Sequence, residues 1–202
     1  MKFIPLNTLE TMIKTLFAIG IITTSATIPT PKNYGISAEP LKEPTITYKK
    51  VWTCPDCNPR EKYVLSVLQD RTKISDLNAL STIMGNIKQE SKFNSNICEG
   101  GARIPYDSCH KGGYGLIQWT TKNRYDNLGK FGMKYNCDPS SLECQTLFMI
   151  NEYQFQSVLL DFEGGGQTVQ QYMKPAYYWL GWGIKGNREI YAYDYTKKLI
   201  MT

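Results

Sequence analysis

The 202-residue chain has a single histidine, His110, and that scarcity removes whole reaction classes. A zinc hydrolase that binds its metal through two histidines one helical turn apart cannot be built, and a His-rich metal site is not expected. Long apolar runs are also missing. Leu16–Ile28 (LFAIGIITTSATI) is the one sustained stretch, and it is shorter than the ~18–20 residues a membrane span needs. Hydrophobic residues make up 42% and charged residues 20%, which fits neither a polytopic membrane protein nor a disordered tail. Strand signals are poor throughout, and there is no internal repeat. Charge of one sign is not concentrated: Lys+Arg 23 against Asp+Glu 18 gives +5. That mild bias suits an anionic polymer, but it is too diffuse to argue for nucleic acid.

What is present starts with six cysteines, a number that points to an oxidising compartment. Lys2 and Lys14 precede the short apolar run, which ends near Thr24-Ser25-Ala26. This is the shape of a secretory signal over residues 1–28; a short membrane anchor and an assembly segment are the other readings. A membrane is expected as a partner only through this segment. Residues 29–47 carry Pro29, Pro31, Pro40 and Pro44 and read as an extended linker. One folded domain is then expected over 48–202.

The cysteines fall into three local couples, Cys54/Cys57, Cys98/Cys109 and Cys137/Cys144. Six cysteines allow 15 connectivities; local pairing is expected because each couple brackets a loop between helices. Two alternatives stay open at this point. Cys54-Pro55-Asp56-Cys57 has the spacing of a redox motif, although it follows a Pro-rich linker rather than a strand. A four-cysteine zinc site is the other, but the gap between Cys137 and Cys144 is wide for a knuckle. No metal and no cofactor is expected.

Helix signals dominate, and the predicted class is mainly α with long loops. Asn58-Pro59-Arg60-Glu61 is a helix start, with Asn as cap, Pro at the first position and Glu at the third. A second helix starts at Ser75 or Asp76 with the stripe Leu77, Leu80, Ile83, Met84 and Ile87. Thr120 or Thr121 caps a third, through Tyr125, Leu128 and Phe131. Ser140-Ser141 opens the longest periodic segment, from Leu142 to about Phe162, closed by Gly164-Gly165-Gly166. A short helix to Met173 before Pro175 follows. Asn187 caps a terminal helix bearing Ile190, Tyr191 and Tyr195.

Glu90 continues the second helix's stripe, seven residues after Ile83 and three after Ile87. It therefore projects from the apolar face in the last turn. Burial there without a cationic partner raises a carboxyl pKa, and the negative end of the helix dipole acts in the same direction. Such a group is a candidate general acid. A helix that frayed earlier would leave Glu90 merely solvated.

The segment Gly85-Asn86-Ile87-Lys88-Gln89-Glu90-Ser91-Lys92-Phe93 is followed by Gly113-Tyr114-Gly115-Leu116-Ile117-Gln118-Trp119-Thr120. Together these resemble the lysozyme superfamily in its goose-type and soluble lytic transglycosylase branch. They are most similar to phage tail lysozymes and to the wall-cutting domains of conjugation machines. Arg124, Asn151-Glu152-Tyr153, Lys174-Pro175 and Asn187-Arg188-x-x-x-Ala192 extend the match, so the resemblance covers roughly 77–195. It implies an α+β, lysozyme-like fold and an exported or virion-associated enzyme. The implied reaction is cleavage of the β-1,4 bond between N-acetylmuramic acid and N-acetylglucosamine. A phage tail or a conjugation or secretion assembly is the implied setting.

Carried over by position, Glu90 is the general acid and Ser91 orients or hydrogen-bonds the site. Gly115 lets backbone approach the sugar, Gln118 binds the N-acetyl sugar, and Tyr114 and Trp119 wall the cleft. The residue types alone also allow Trp119 in the core, Ser91 as a local cap, and Gly113 and Gly115 as turn formers. A hydrolase would need a second carboxyl, ~5–5.5 Å away if retaining and ~6.5–9.5 Å if inverting. Glu99, Asp107, Asp126 and Glu152 are the candidates, with Asp107 best placed and Glu152 readable as a buried partner of Arg124 or Arg188. Without one, Glu90 serves as acid and then base while the muramic 6-hydroxyl closes a 1,6-anhydro ring. His110 reads as a solvated loop residue, and a Cys-His amidase has no set-up here. The rivals are a catalytically silent glycan-binding module of the same shape and a thiol-disulfide protein built on Cys54 and Cys57.

Overall fold

The structure, a computed structural model, describes residues 50–110 and 112–202. The expected leader (1–28) and linker (29–47) lie outside them. Among the described residues the order is β1 (Trp52–Thr53), α1 (Pro59–Arg71), α2 (Leu77–Ser91), a 3-10 turn (Tyr106–Ser108), α3 (Lys122–Tyr135), α4 (Leu142–Asn151), α5 (Tyr153–Glu163), α6 (Val169–Leu180), α7 (Arg188–Lys198) and β2 (Ile200–Met201). The class is mainly α, as the helix signals indicate. β1 pairs antiparallel with β2, Trp52 opposite Met201. Gln69 extends this ribbon: its amide accepts from the Trp52 N–H at 2.7 Å and donates to the Trp52 carbonyl at 2.8 Å.

Local chemistry fixes the helix starts. Asn58 and Glu61 form a reciprocal capping box, and Asp76 accepts from the Ala79 N–H at 2.9 Å, each removing orphan donors from a first turn. Thr121 starts α3 in the same way. Glu61 does more than cap: it is buried, and its other oxygen accepts from the Tyr195 hydroxyl, tying α1 to α7. Desolvation and that bond push the Tyr195 phenol well above its ordinary pKa.

Three expectations are corrected. The segment 142–162 is not one helix. It breaks at Glu152, whose extended backbone (φ −68, ψ 152) ends α4 and begins α5. Conversely, α6 does not stop before Pro175 but runs through it to a left-handed cap at Gly181. Burial of Tyr172, Met173, Ala176 and Trp179 on that helix outweighs the lost backbone bond. In α7 the buried face is Arg188, Ala192 and Tyr195, while Ile190 is exposed.

The core forms around α2, which is buried without interruption from Ala79 to Ile87 rather than along one stripe. Thr82 Oγ1 and Asn86 Nδ2 donate to backbone carbonyls one turn back, at 2.7 and 2.8 Å. Helix α7 crosses α2 at Gly85. A Cβ there would lie 2.4 Å from the Ala192 nitrogen and 2.8 Å from the Arg188 carbonyl oxygen, both backbone. Gly85→Ala is therefore expected to destabilise the protein by about 1–2 kcal/mol, because overpacking against backbone outweighs the gain in helix propensity. A thermal melt checks it; an unchanged or raised Tm would contradict the close crossing.

Candidate active site

The end of α2 is held rather than frayed. Lys92 (φ 52) and Phe93 (φ 62) are consecutive left-handed residues, an uncommon and costly geometry for side chains of this size. Burial of Phe93 against Tyr195, ring centroids 6.3 Å apart, fixes it. Asn94 closes the turn, donating to the Ser91 carbonyl at 2.6 Å and accepting from Arg60 at 2.5 Å. Glu90, in that last turn, keeps only 15% side-chain exposure.

Glu90 does have a cationic partner, contrary to the simplest expectation. Arg188 at the start of α7 donates from Nη2 to Glu90 Oε1. Even so, the Glu90 pKa is raised: desolvation outweighs the opposing pull of Arg188 and of Arg124. Arg188 is itself buried, and desolvation lowers its pKa against the effect of Glu90. Its Nε and Nη1 have no hydrogen-bond partner among the described residues. The Trp182 indole lies over the guanidinium, 4.7 Å from the ring centroid. The pair thus sits where its attraction does not repay the loss of water, and burial shifts the Glu90 equilibrium toward its acid form relative to a solvated glutamate.

The second motif folds as a tight turn against this helix end. Tyr114 and Trp119 exchange backbone bonds across it (2.9 and 3.3 Å), with Gly115 (φ 74) and Gln118 (φ 52) at the corners. Ser91 Oγ donates to the Leu116 carbonyl at 2.7 Å, fastening the residue after the acid to the turn. The reading of Tyr114 and Trp119 as cleft walls is corrected, since both side chains are fully buried. Gly115 is not open to an approaching sugar either: a Cβ there would lie 2.4 Å from the Gln145 amide oxygen. Gln118 spends its Nε2 on the carbonyls of Gly115 (3.0 Å) and Ile97 (3.3 Å), closing its own turn.

Sequence reading missed Gln145. Fully buried, it accepts from the Leu116 N–H and donates to the carbonyls of Ser95 and Pro139, all at 2.7 Å. One amide thereby ties α4 to the turn and to the loop after α2. A polar residue inside an apolar helix was the available signal.

Glu152 is the second hub. Arg124 donates to it twice, from Nε at 3.0 Å and Nη2 at 2.6 Å; the indole N–H groups of Trp119 and Trp179 each donate at 3.1 Å. All of its bonding is structural, so Glu152 is the buried partner of Arg124. A model of the phage tail lysozyme family matches residues 60–189. The chain belongs to that family. No curated protein and no solved structure matches it. As a phage tail lysozyme relative it has a lysozyme-like, peptidoglycan-cleaving function, and the matched span runs from the first turn of α1 into the first turn of α7.

In this lysozyme-like domain Asp107, the expected second carboxylate, belongs to the 3-10 turn Tyr106–Ser108. It is exposed there and lines a cavity of about 510 Å³ with Tyr106, His110, Lys122, Tyr125 and Asp126. Its charge bears on the phenols there: desolvation first, then neighbouring phenols and carboxylates, push Tyr125 up to about 12. Glu99 instead accepts from the Gly113 N–H at 3.0 Å, holding the Gly-rich loop, and Asp126 pairs with Lys122 at 2.5 Å. All three local cysteine couples are disulfides, with Cα separations of 5.3, 5.7 and 5.5 Å. Cys54 and Cys57 are buried, which does not suit an exchanging redox pair. Among the described residues no group of three or more His, Cys, Asp or Glu is placed to hold a metal ion.

Proposed function

We propose that the domain cleaves the β-1,4 bond between N-acetylmuramic acid and N-acetylglucosamine, with Glu90 as general acid. The observation that carries this is a carboxyl at the end of a buried helix whose pKa is raised despite two nearby arginines. Arg188 holds Oε1 and so fixes the side chain, leaving Oε2 to carry the proton. In the first step that proton passes to the glycosidic oxygen as the C1–O bond breaks. The charges that bear on Glu90 are cations, which favours the route that needs no second carboxylate. The muramic 6-hydroxyl then attacks C1 and returns its proton to Glu90, leaving a 1,6-anhydro end. Gln118, in the turn fastened to Glu90 through Ser91 and Leu116, is the proposed contact for the N-acetyl group. The setting is the wall, reached from a phage tail or from a conjugation or secretion assembly, with residues 1–28 as export signal or anchor and 29–47 as tether.

A general acid works only while protonated, so lytic rate is expected to fall as pH rises through the raised Glu90 pKa. Because Arg188 lowers that pKa, Arg188→Gln is expected to move the alkaline limb to higher pH while reducing the maximum rate. A pH–rate profile of wall lysis by both proteins checks the sign. A limb that stays fixed, or moves to lower pH, would remove Glu90 from the acid role. Released muropeptides treated with borohydride test the route: anhydro ends resist reduction, whereas hydrolysed ends are reduced.

A further inference from the structure

Burial of Tyr114 and Trp119 leaves the proposed reaction without the aromatic faces a glycan strand would rest on. Tyr153 and Tyr193 are also exposed, but the open aromatics connected to Glu90 lie in the last turn of α6 and the loop to α7. Tyr178 is 63% exposed and Tyr177 49% exposed; Trp182 is half-buried. They touch in series: Tyr178 to Tyr177 at 5.9 Å, then Tyr177 to Trp182 at 5.3 Å and 83°. Trp182 in turn lies on Arg188, which holds Glu90. A continuous row of side chains therefore leads from solvent to the acid.

The loop bearing Trp182 is anchored beside that acid by its own sequence neighbour. Gln89 Oε1 accepts from the Asn187 N–H at 3.0 Å. Gly186 (φ +58) permits the close approach, since a Cβ there would lie 2.8 Å from the Gln89 amide nitrogen. At its other end, Gly181 (φ +67) turns the chain out of α6. Two exposed tyrosines and a half-buried indole beside a desolvated acid suit a ligand with alternating apolar faces and polar edges. Sugar rings have that character, and Tyr and Trp present both an apolar body and a polar tip.

Resting on the glycosidase reading above, we infer that Trp182 and Tyr177, whose rings meet at 83°, form an angled platform next to Glu90, where an N-acetylhexosamine ring of the glycan strand stacks its face on one ring and sets its edge against the other. Arg188 then does two jobs, fixing the carboxyl and backing the indole. The inference names binding residues in the α6–α7 segment that are separate from Gln118 and the second motif.

The test is sedimentation with purified peptidoglycan, using the full chain carrying Glu90→Gln so that binding is read without cutting. Trp182→Ala and Tyr177→Ala, each added to that background, are expected to weaken binding about tenfold. Trp182→Phe is expected to restore most of it. Thermal melts accompany each variant, and Tyr177→Ala, at a surface position, keeps the test decisive if Trp182→Ala folds poorly. Binding by both alanine variants equal to that of the Glu90→Gln parent would overturn the platform while leaving the acid in place. A wild-type protein that releases no fragments from the same wall would overturn the underlying glycosidase reading instead.

Discussion

Glu90→Gln is expected to cut the release of glycan fragments by roughly two to four orders of magnitude, the usual worth of a positioned general acid. The substitution is nearly isosteric. A glutamine oxygen can still accept from Arg188 Nη2, so the bond that positions the side chain survives. What disappears is the transferable proton and its return. Because the carboxyl pKa is raised by burial, wild type retains acid form above the usual carboxyl range, and the gap between the two proteins should be widest below the alkaline limb. Binding to the wall should persist in the variant. A silent glycan-binding module would show no difference between the two proteins beyond any change in binding.

Glu152→Ala should be the most damaging single change to stability. Its carboxylate receives four donors: two from Arg124 and one from each of two buried indoles. Truncation leaves a nearly buried guanidinium without its counter-charge and two indole N–H groups without acceptors. Removing one partner of a buried pair costs roughly 3–5 kcal/mol, and the orphaned donors add to that. On a protein of ordinary stability, ~5–15 kcal/mol, the melting temperature should fall on the order of 10 °C. Glu152→Gln keeps an acceptor and should cost less. Arg124 also lies close enough for its charge to bear on Glu90, so a drop in activity is expected before the protein unfolds. Thermal melts of the two variants, ranked Ala below Gln, check the account; equal and small losses would contradict the hub.

Much of this was legible because it is local. Asn58 and Asp76 announce α1 and α2 through side chains that bond their own first turns. The phase of Glu90 follows from Ile83 and Ile87 on one helix, and each disulfide closes within 11 residues. What escaped was set by partners far away in sequence. No glycine or proline marks the break at Glu152; indoles 33 and 27 residues away draw its side chain into the core there. Pro175 looks like a stop, yet the apolar face on both sides of it carries the helix through. Tyr114 and Trp119 have the chemistry of a sugar platform and of a core equally, and only burial separates the two roles. The partner of Glu90 comes from Arg188, 98 residues on.

The most direct test of the central claim is mass spectrometry of muropeptides released from purified peptidoglycan by wild type and by Glu90→Gln. The account predicts anhydro-muramic ends from wild type and only traces from the folded variant. Equal release by the two proteins would contradict it.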